Sequence, residues 1–188
     1  MGQWSNFYRA RFFELFGQNE RAVDAFRDAL AANPQFDRAA SCLGHLFASM
    51  GRLDEAAQTF IDTLRQKPAD AVTHFNLGFV YGEQKRHEQA IASFQEAVRL
   101  DPKIDRAWYG LGLSQASLGR HEAAAEAFEK AAKLQPMSPY PWYHLAMAHY
   151  TLRQDDKVRE IAARLGKFDP KILRRLIADA PRANIKPD

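Results

Sequence analysis

Apolar residues along the chain fall into short helical stripes, and the stripes recur at a fixed interval. The stretch Ala90, Ile91, Phe94, Ala97 and Val98 is one example, with apolar side chains three and four residues apart. Phe26, Phe60, Phe94 and Phe128 repeat every 34 residues. Ala22, Ala56, Ala90 and Ala124 keep the same interval, and Val158 continues the row. So do Gly44, Gly78 and Gly112, with Ala10 and Ala146 at the two ends, and Pro34, Pro68, Pro102, Pro136 and Pro170. Four independent rows with one period define an internal repeat. The units are 3–36, 37–70, 71–104, 105–138 and 139–172.

Each unit reads as two helices. A break separates them, at Gly17, Gly51 and Gly119 in three units and at Gln84-Lys85-Arg86 and Arg153-Gln154-Asp155 in the other two. Glycine suits the left-handed residue that ends a helix, so the two glycine-free turns are expected to carry strain. The second helix stops ahead of the proline, which cannot continue it. A Gly or Ala on the first helix facing an Ala on the second lets the two axes approach, and the Phe fills the space beside them.

This pattern resembles the tetratricopeptide repeat family. Unit four carries it best, with Trp108, Leu111, Gly112, Ala124, Phe128, Ala131 and Pro136. Unit three has Leu77, Gly78, Tyr81, Ala90, Phe94, Ala97 and Pro102. The end units depart from it, with Arg9 where Leu is usual and with His149, Ala162 and Leu165 in unit five. The resemblance implies an all-α protein, an α-α superhelix (solenoid) of five tetratricopeptide-type helix-turn-helix repeats. We expect one solenoid domain over 1–180. Ile172, Leu173, Leu176 and Ile177 share one face, which predicts a C-terminal capping helix over about 170–178. Residues 181–188 read as a polar, frayed tail.

The resemblance further implies that the first helix of each unit lines a concave groove. Its ligand-facing positions here hold Trp4, Phe7, Tyr8, Arg11, Arg38, His45, Phe75, Asn76, Phe79, Arg106, Tyr109, Tyr140, Tyr143 and His144. At Gly110 the same row is expected to leave a gap. Of 22 aromatic residues, nine occupy structural positions of the repeat and nine fall in the groove, Tyr150 among them. Rings the fold does not need, gathered on one face, point to recognition. Asn76 can both donate to and accept from a peptide backbone. The family's two-carboxylate clamp is not reproduced: Ser41, His45 and Gly110 stand at three of its places, and only Asn76 and Arg106 fit.

Composition narrows the classes. The chain has 188 residues, 46% hydrophobic and 26% charged, with net charge +3. Residues 153–188 hold ten Lys or Arg against six Asp or Glu, so the cationic excess is C-terminal. One cysteine, Cys42, excludes an internal disulfide and a cysteine metal cluster. Arg9, Arg11 and Glu14 interrupt the N-terminal apolar run, and Asn6 stands where a myristoylation signal needs Ser or Thr. No run approaches the ~20 apolar residues of a membrane span. These features suggest a cytoplasmic protein. Cys42 and His45 lie one helical turn apart, but a nucleophile also needs an orienting group and an oxyanion site, and neither is visible. We therefore expect no enzyme, no cofactor and no metal.

The expected function is a scaffold or adaptor that binds a peptide or protein in the concave groove. Two alternatives stay open: a self-assembling module acting through its end faces, and a nucleic-acid binder using Lys171, Arg174 and Arg175, the latter disfavoured. Phe12 and Phe16 bear on the first. They occupy the face that units two to five pack on the preceding unit, and unit one has no preceding unit. A homodimer through this face is the expectation.

Overall fold

The computed structural model describes residues 2–186. Among them are eleven α-helices: α1 Gln3–Leu15, α2 Asn19–Ala32, α3 Asp37–Ser49, α4 Leu53–Gln66, α5 Ala71–Glu83, α6 His87–Leu100, α7 Asp105–Ser117, α8 His121–Leu134, α9 Pro139–Thr151, α10 Asp155–Gly166 and α11 Pro170–Asp179. A single 3-10 turn, Pro181–Ala183, follows. Successive helices pack in sequence as pairs. They group into two compact units, Met1–Arg86 and His87–Asp188.

The turns inside the pairs are built alike. Gly17, Gly51 and Gly119 have φ of 68°, 75° and 73°, and Lys85 and Arg153 adopt φ of 59° and 58° at the equivalent places. In all five turns the next amide reaches back five residues, as in Arg86 N to Tyr81 O and Gln154 N to His149 O, both 2.9 Å. The glycine-free turns thus take the glycine geometry with side chains that dislike it.

In the first unit α3 approaches α4 closely at Gly44. A Cβ added at Gly44 would lie 2.4 Å from the Phe60 ring. Phe26 and Phe60 are fully buried between the helices. In the second unit Gly112 meets Phe128 in the same way, its added Cβ 2.6 Å from the ring. A further tie holds three of the pairs to the turn before them. The Trp108 indole N–H donates to the Pro102 carbonyl at 2.9 Å, and Trp142 donates to that of Pro136 at 3.0 Å. In the first unit His74 Nε2 lies 2.9 Å from the Pro68 carbonyl, the same contact one period earlier.

The C-terminal end differs from the sequence expectation. α11 packs on α9 and α10, burying Leu176. Asp169 caps it by accepting from the amides of Lys171 and Ile172, with Pro170 in the first turn. The segment expected to fray is docked. Ala180 and Ala183 are buried, Ile185 packs on the same core, and Arg159 donates to the Ala183 carbonyl at 2.9 Å. Arg182 bonds Asp155 at 3.0 Å and lies 4.1 Å over the Tyr150 ring. The segment is polar by count, but its two alanines and one arginine fit sites on α9 and α10. Pro187 and Asp188, the last residues of the expected tail, lie outside the described residues.

Candidate functional site

The residues expected to contact a ligand are on α1, α3 and α5 in the first unit and on α7 and α9 in the second. In the first unit Trp4, Tyr8 and Phe79 are exposed, as are Arg11, Arg38 and His45, while Phe75 is half-buried. Trp4 sits at the centre of a ring cluster. Its centroid is 4.7 Å from Phe36 and 6.1 Å from Tyr8, and the Arg38 guanidinium stands 5.9 Å over it. Such a set offers flat apolar area with a cation beside it. Phe36 had no signal in the sequence, because no other unit has a ring at its place. Arg11 donates to Glu14 at 2.5 Å, so its charge is already shared.

Three expected contacts are corrected by burial. Phe7 is covered by Phe36 and Phe26, at 5.3 and 5.8 Å, and belongs to the core. Asn76 is only 6% exposed, so its amide is not spread on an open surface. Tyr143 is buried under the C-terminal helix: its hydroxyl donates to Asp179 at 2.5 Å and Arg175 lies 4.8 Å over its ring. Tyr150 is half-buried, with the Arg182 guanidinium 4.1 Å over its ring. Gly110 also has another role than a gap, since a Cβ there would meet the Phe94 ring at 2.5 Å.

In the second unit Tyr140 and Arg106 are exposed, and Tyr109 and His144 are half-buried. His144 stacks on Phe128 with centroids 5.4 Å apart, and Tyr109 meets its edge at 5.6 Å. One period earlier Gly110 faces Phe94, so this register lies against the phenylalanine of the preceding pair. Burial, helped by the Arg175 charge, pushes the His144 pKa below its ordinary value. Burial pushes the Tyr109 hydroxyl up, with Tyr140 adding to it, so the group stays a neutral hydrogen-bonding phenol.

Burial raises the Cys42 thiol; Arg11 draws it back and Glu14 raises it further. A thiol held protonated is a poor nucleophile. Among the described residues no group of His, Cys, Asp and Glu is placed to hold a metal ion. Among the same residues no helix is long and apolar enough to cross a membrane.

Phe12 and Phe16 are 56% and 61% exposed, and their rings meet at 4.7 Å. The equivalents of Phe12 in the next two first helices, Leu46 and Val80, are 3% and 1% exposed. The contrast isolates an apolar patch at the start of the first unit.

Two sequence models of the tetratricopeptide repeat match the chain, one over residues 36–103 and the other over 75–140. No curated protein sequence matches it. Solved structures do. A tetratricopeptide repeat protein from Parabacteroides merdae aligns with TM-score 0.83 and 19% identity, over 97% of this chain and 73% of its own. PilF of Pseudomonas aeruginosa aligns with TM-score 0.76 and 22% identity, over 96% and 86%. YrrB, described as a TPR protein with an unusual peptide-binding site, aligns with TM-score 0.77 and 19% identity, over 94% and 90%. At these identities the likeness is one of fold. The helix pairs, the 34-residue rows and both sequence matches agree, and the chain belongs to the tetratricopeptide repeat family, whose repeats are modules of protein–protein interaction.

Proposed function

We propose that the protein is a scaffold or adaptor that binds an extended peptide segment of a partner on the exposed faces of its first helices. The observation that carries this is how the rings divide. Phe26, Phe60, Phe94 and Phe128, at structural positions, are buried, whereas Trp4, Tyr8, Phe79 and Tyr140, which the fold does not need, are exposed. The exposed Trp4 ring with Arg38 over it suits a segment with apolar and acidic residues. That YrrB has a peptide-binding site on the same fold is in keeping with it. Panning random peptides on the wild type against a Tyr8→Ala, Phe79→Ala variant tests it. Selected peptides should bind the variant about tenfold or more weakly, as expected when two contact rings are lost, while helicity and Tm stay unchanged. Equal binding to both proteins refutes the site.

A second reading concerns assembly, and the exposed pair Phe12 and Phe16 favours it. In this reading two copies cover each other's patch across a two-fold axis. An isologous contact suits it because the patch is apolar and self-complementary in kind. Light scattering, argued below, decides it.

A further inference from the structure

A row of acids and a row of arginines run through the repeat, and the second breaks in the last unit. Glu20, Asp54, Glu88 and Glu122 keep the 34-residue interval, as do Arg52, Arg86 and Arg120, but the next place holds Gln154. Arg52 donates to both oxygens of Glu20 at 3.0 Å, and its guanidinium stands 4.7 Å over the Phe47 ring. Arg86 stands 4.7 Å over Tyr81, while Asp54 accepts from Gln84 at 2.8 Å. Arg120 donates to both oxygens of Glu88, at 3.0 and 2.5 Å. In the last unit the ring position is His149, whose Nδ1 lies 2.7 Å from the Gln154 amide oxygen. Glu122 enters no ion pair among the described residues.

Glu122, His149 and Gln154 line one groove of about 420 Å³, between α8 and α10 with α9 beneath. Trp142, Leu145 and Ile161 give it an apolar floor, and Glu126, Glu129 and Glu160 add carboxylates. Glu129 is paired with Lys133, whereas Glu126 and Glu160 enter no ion pair among the described residues. Lys157 is the one lysine or arginine among the described lining residues. Burial pushes the His149 pKa below its ordinary value, so its ring is neutral at neutral pH. One period earlier Trp108, Leu111, Gln115, Glu126 and Ala127 line a cleft between α6 and α8. They are the positions of Trp142, Leu145, His149, Glu160 and Ile161 shifted by 34 residues, and Glu126 lines both clefts. Gln115 gives an independent sign of a guest. It is only 8% exposed, and its Oε1 has no hydrogen-bond partner. A buried acceptor left in this way is costly until a donor reaches it. Arg99 in that cleft is held by Glu96, and Lys130 keeps a further cation from settling there, so the cleft suits a neutral donor.

We propose that these two clefts dock an extended, arginine-bearing segment of a partner protein. Its guanidinium is held by Glu122 over the His149 ring, and a neighbouring side-chain amide donates to Gln115. The chain itself displays the arrangement, since Arg52 takes the corresponding place between Glu20 and Phe47. Charge complementarity favours this occupant: four carboxylates face one lysine in the groove, which repels a phosphate-bearing polymer or surface. The site is separate from the ring-bearing faces proposed above, so either can fail alone.

The probe is a fluorescent nine-residue peptide, Arg-Gln-Gln repeated three times, which offers both side chains in every register. Anisotropy should show saturable binding to the full chain. Glu122→Gln should weaken it by about tenfold or more, as expected when one member of a close charge pair is lost, and Gln115→Leu should weaken it severalfold. Gln154→Arg should abolish it, because the introduced guanidinium takes Glu122 as Arg52 takes Glu20. Tyr8→Ala with Phe79→Ala should leave it intact. Far-UV circular dichroism and melting confirm that each variant is folded. Failure of the peptide to bind the wild type overturns the proposal. So does equal affinity for a peptide with citrulline in place of arginine, which keeps the shape and removes the charge. Unchanged binding by the Gln154→Arg or the Glu122→Gln variant also overturns it. Self-association in light scattering that Gln154→Arg abolishes assigns the groove to a second copy and overturns it as well.

Discussion

At the residue scale the structure turns on contacts a single atom can break. Gly44 is the clearest: its added Cβ would stand 2.4 Å from Phe60, which is fully buried and cannot yield. Gly44→Ala should destabilise the protein by about 1–3 kcal/mol, the ordinary cost of overpacking a core, as read by chemical denaturation. Lys85 makes the opposite case. It holds φ of 59° where three sister turns have glycine. Lys85→Gly removes the left-handed penalty but frees the unfolded chain, and a net gain of up to about 1 kcal/mol is expected in the same measurement. His144 links the core to pH. Burial and Arg175 depress its pKa, and burial also depresses that of His149. In the unfolded chain both titrate near the ordinary value of 6.5. Below that pH the unfolded state binds more protons, so stability present at neutral pH falls on acidification. Melting curves between about pH 7 and 5.5 should show the fall, and His144→Gln should remove part of it.

At the element scale each helix is short, and pairing rather than propensity keeps it formed. Asp70 on α5 and Asp169 on α11 cap their helices with a side chain, whereas α1 to α4 and α7 to α10 have no side-chain N-cap. Their ends are held by the reaching-back amides of the turns and by ring N–H groups on the turn carbonyls, as for Trp108 on Pro102. It follows that Pro102 itself does little beyond ending α6. Pro102→Ala should leave peptide binding and the fold intact, with a stability change within about 1 kcal/mol, because its carbonyl, which Trp108 uses, is retained. Trp108→Phe keeps a ring and loses that bond, and should lower stability by about 0.5–1.5 kcal/mol. α11 shows how an end element is held. It owes its place to Leu176, to the Tyr143–Asp179 hydrogen bond and to the docked segment behind it.

At the scale of the whole molecule the question is what the two ends do. The N-terminal patch of Phe12 and Phe16 exposes rings at a register where Leu46 and Val80 are covered. If it is a dimer contact, Phe12→Glu with Phe16→Glu converts a dimer into a folded monomer in light scattering, with the helix content preserved. A wild type that stays monomeric at high concentration excludes the dimer. The C-terminal end is different in kind, since α11 and residues 180–186 cover part of it and leave a cationic groove.

The sequence by itself determined the repeat. Because the period is 34 and its rows are of Gly, Ala, Phe and Pro, the helix pairs, their turns and their buried phenylalanines could be placed from spacing alone. Each of those rows acts within a pair or between adjacent pairs, where the same contact recurs and the same residue is needed. The candidate face was legible only as a register. Tertiary structure decided which of its residues reach solvent. Phe7 is covered by Phe36, which falls in no row. Tyr143 is covered by Asp179 and Arg175, and Tyr150 is half-covered by Arg182, all outside the five units. Asn76 is buried although its side chain is polar. The docking of residues 180–186 was likewise hidden, because two small alanines and one arginine carry no periodic signal. Their burial depends on sites that α9 and α10 form only once packed.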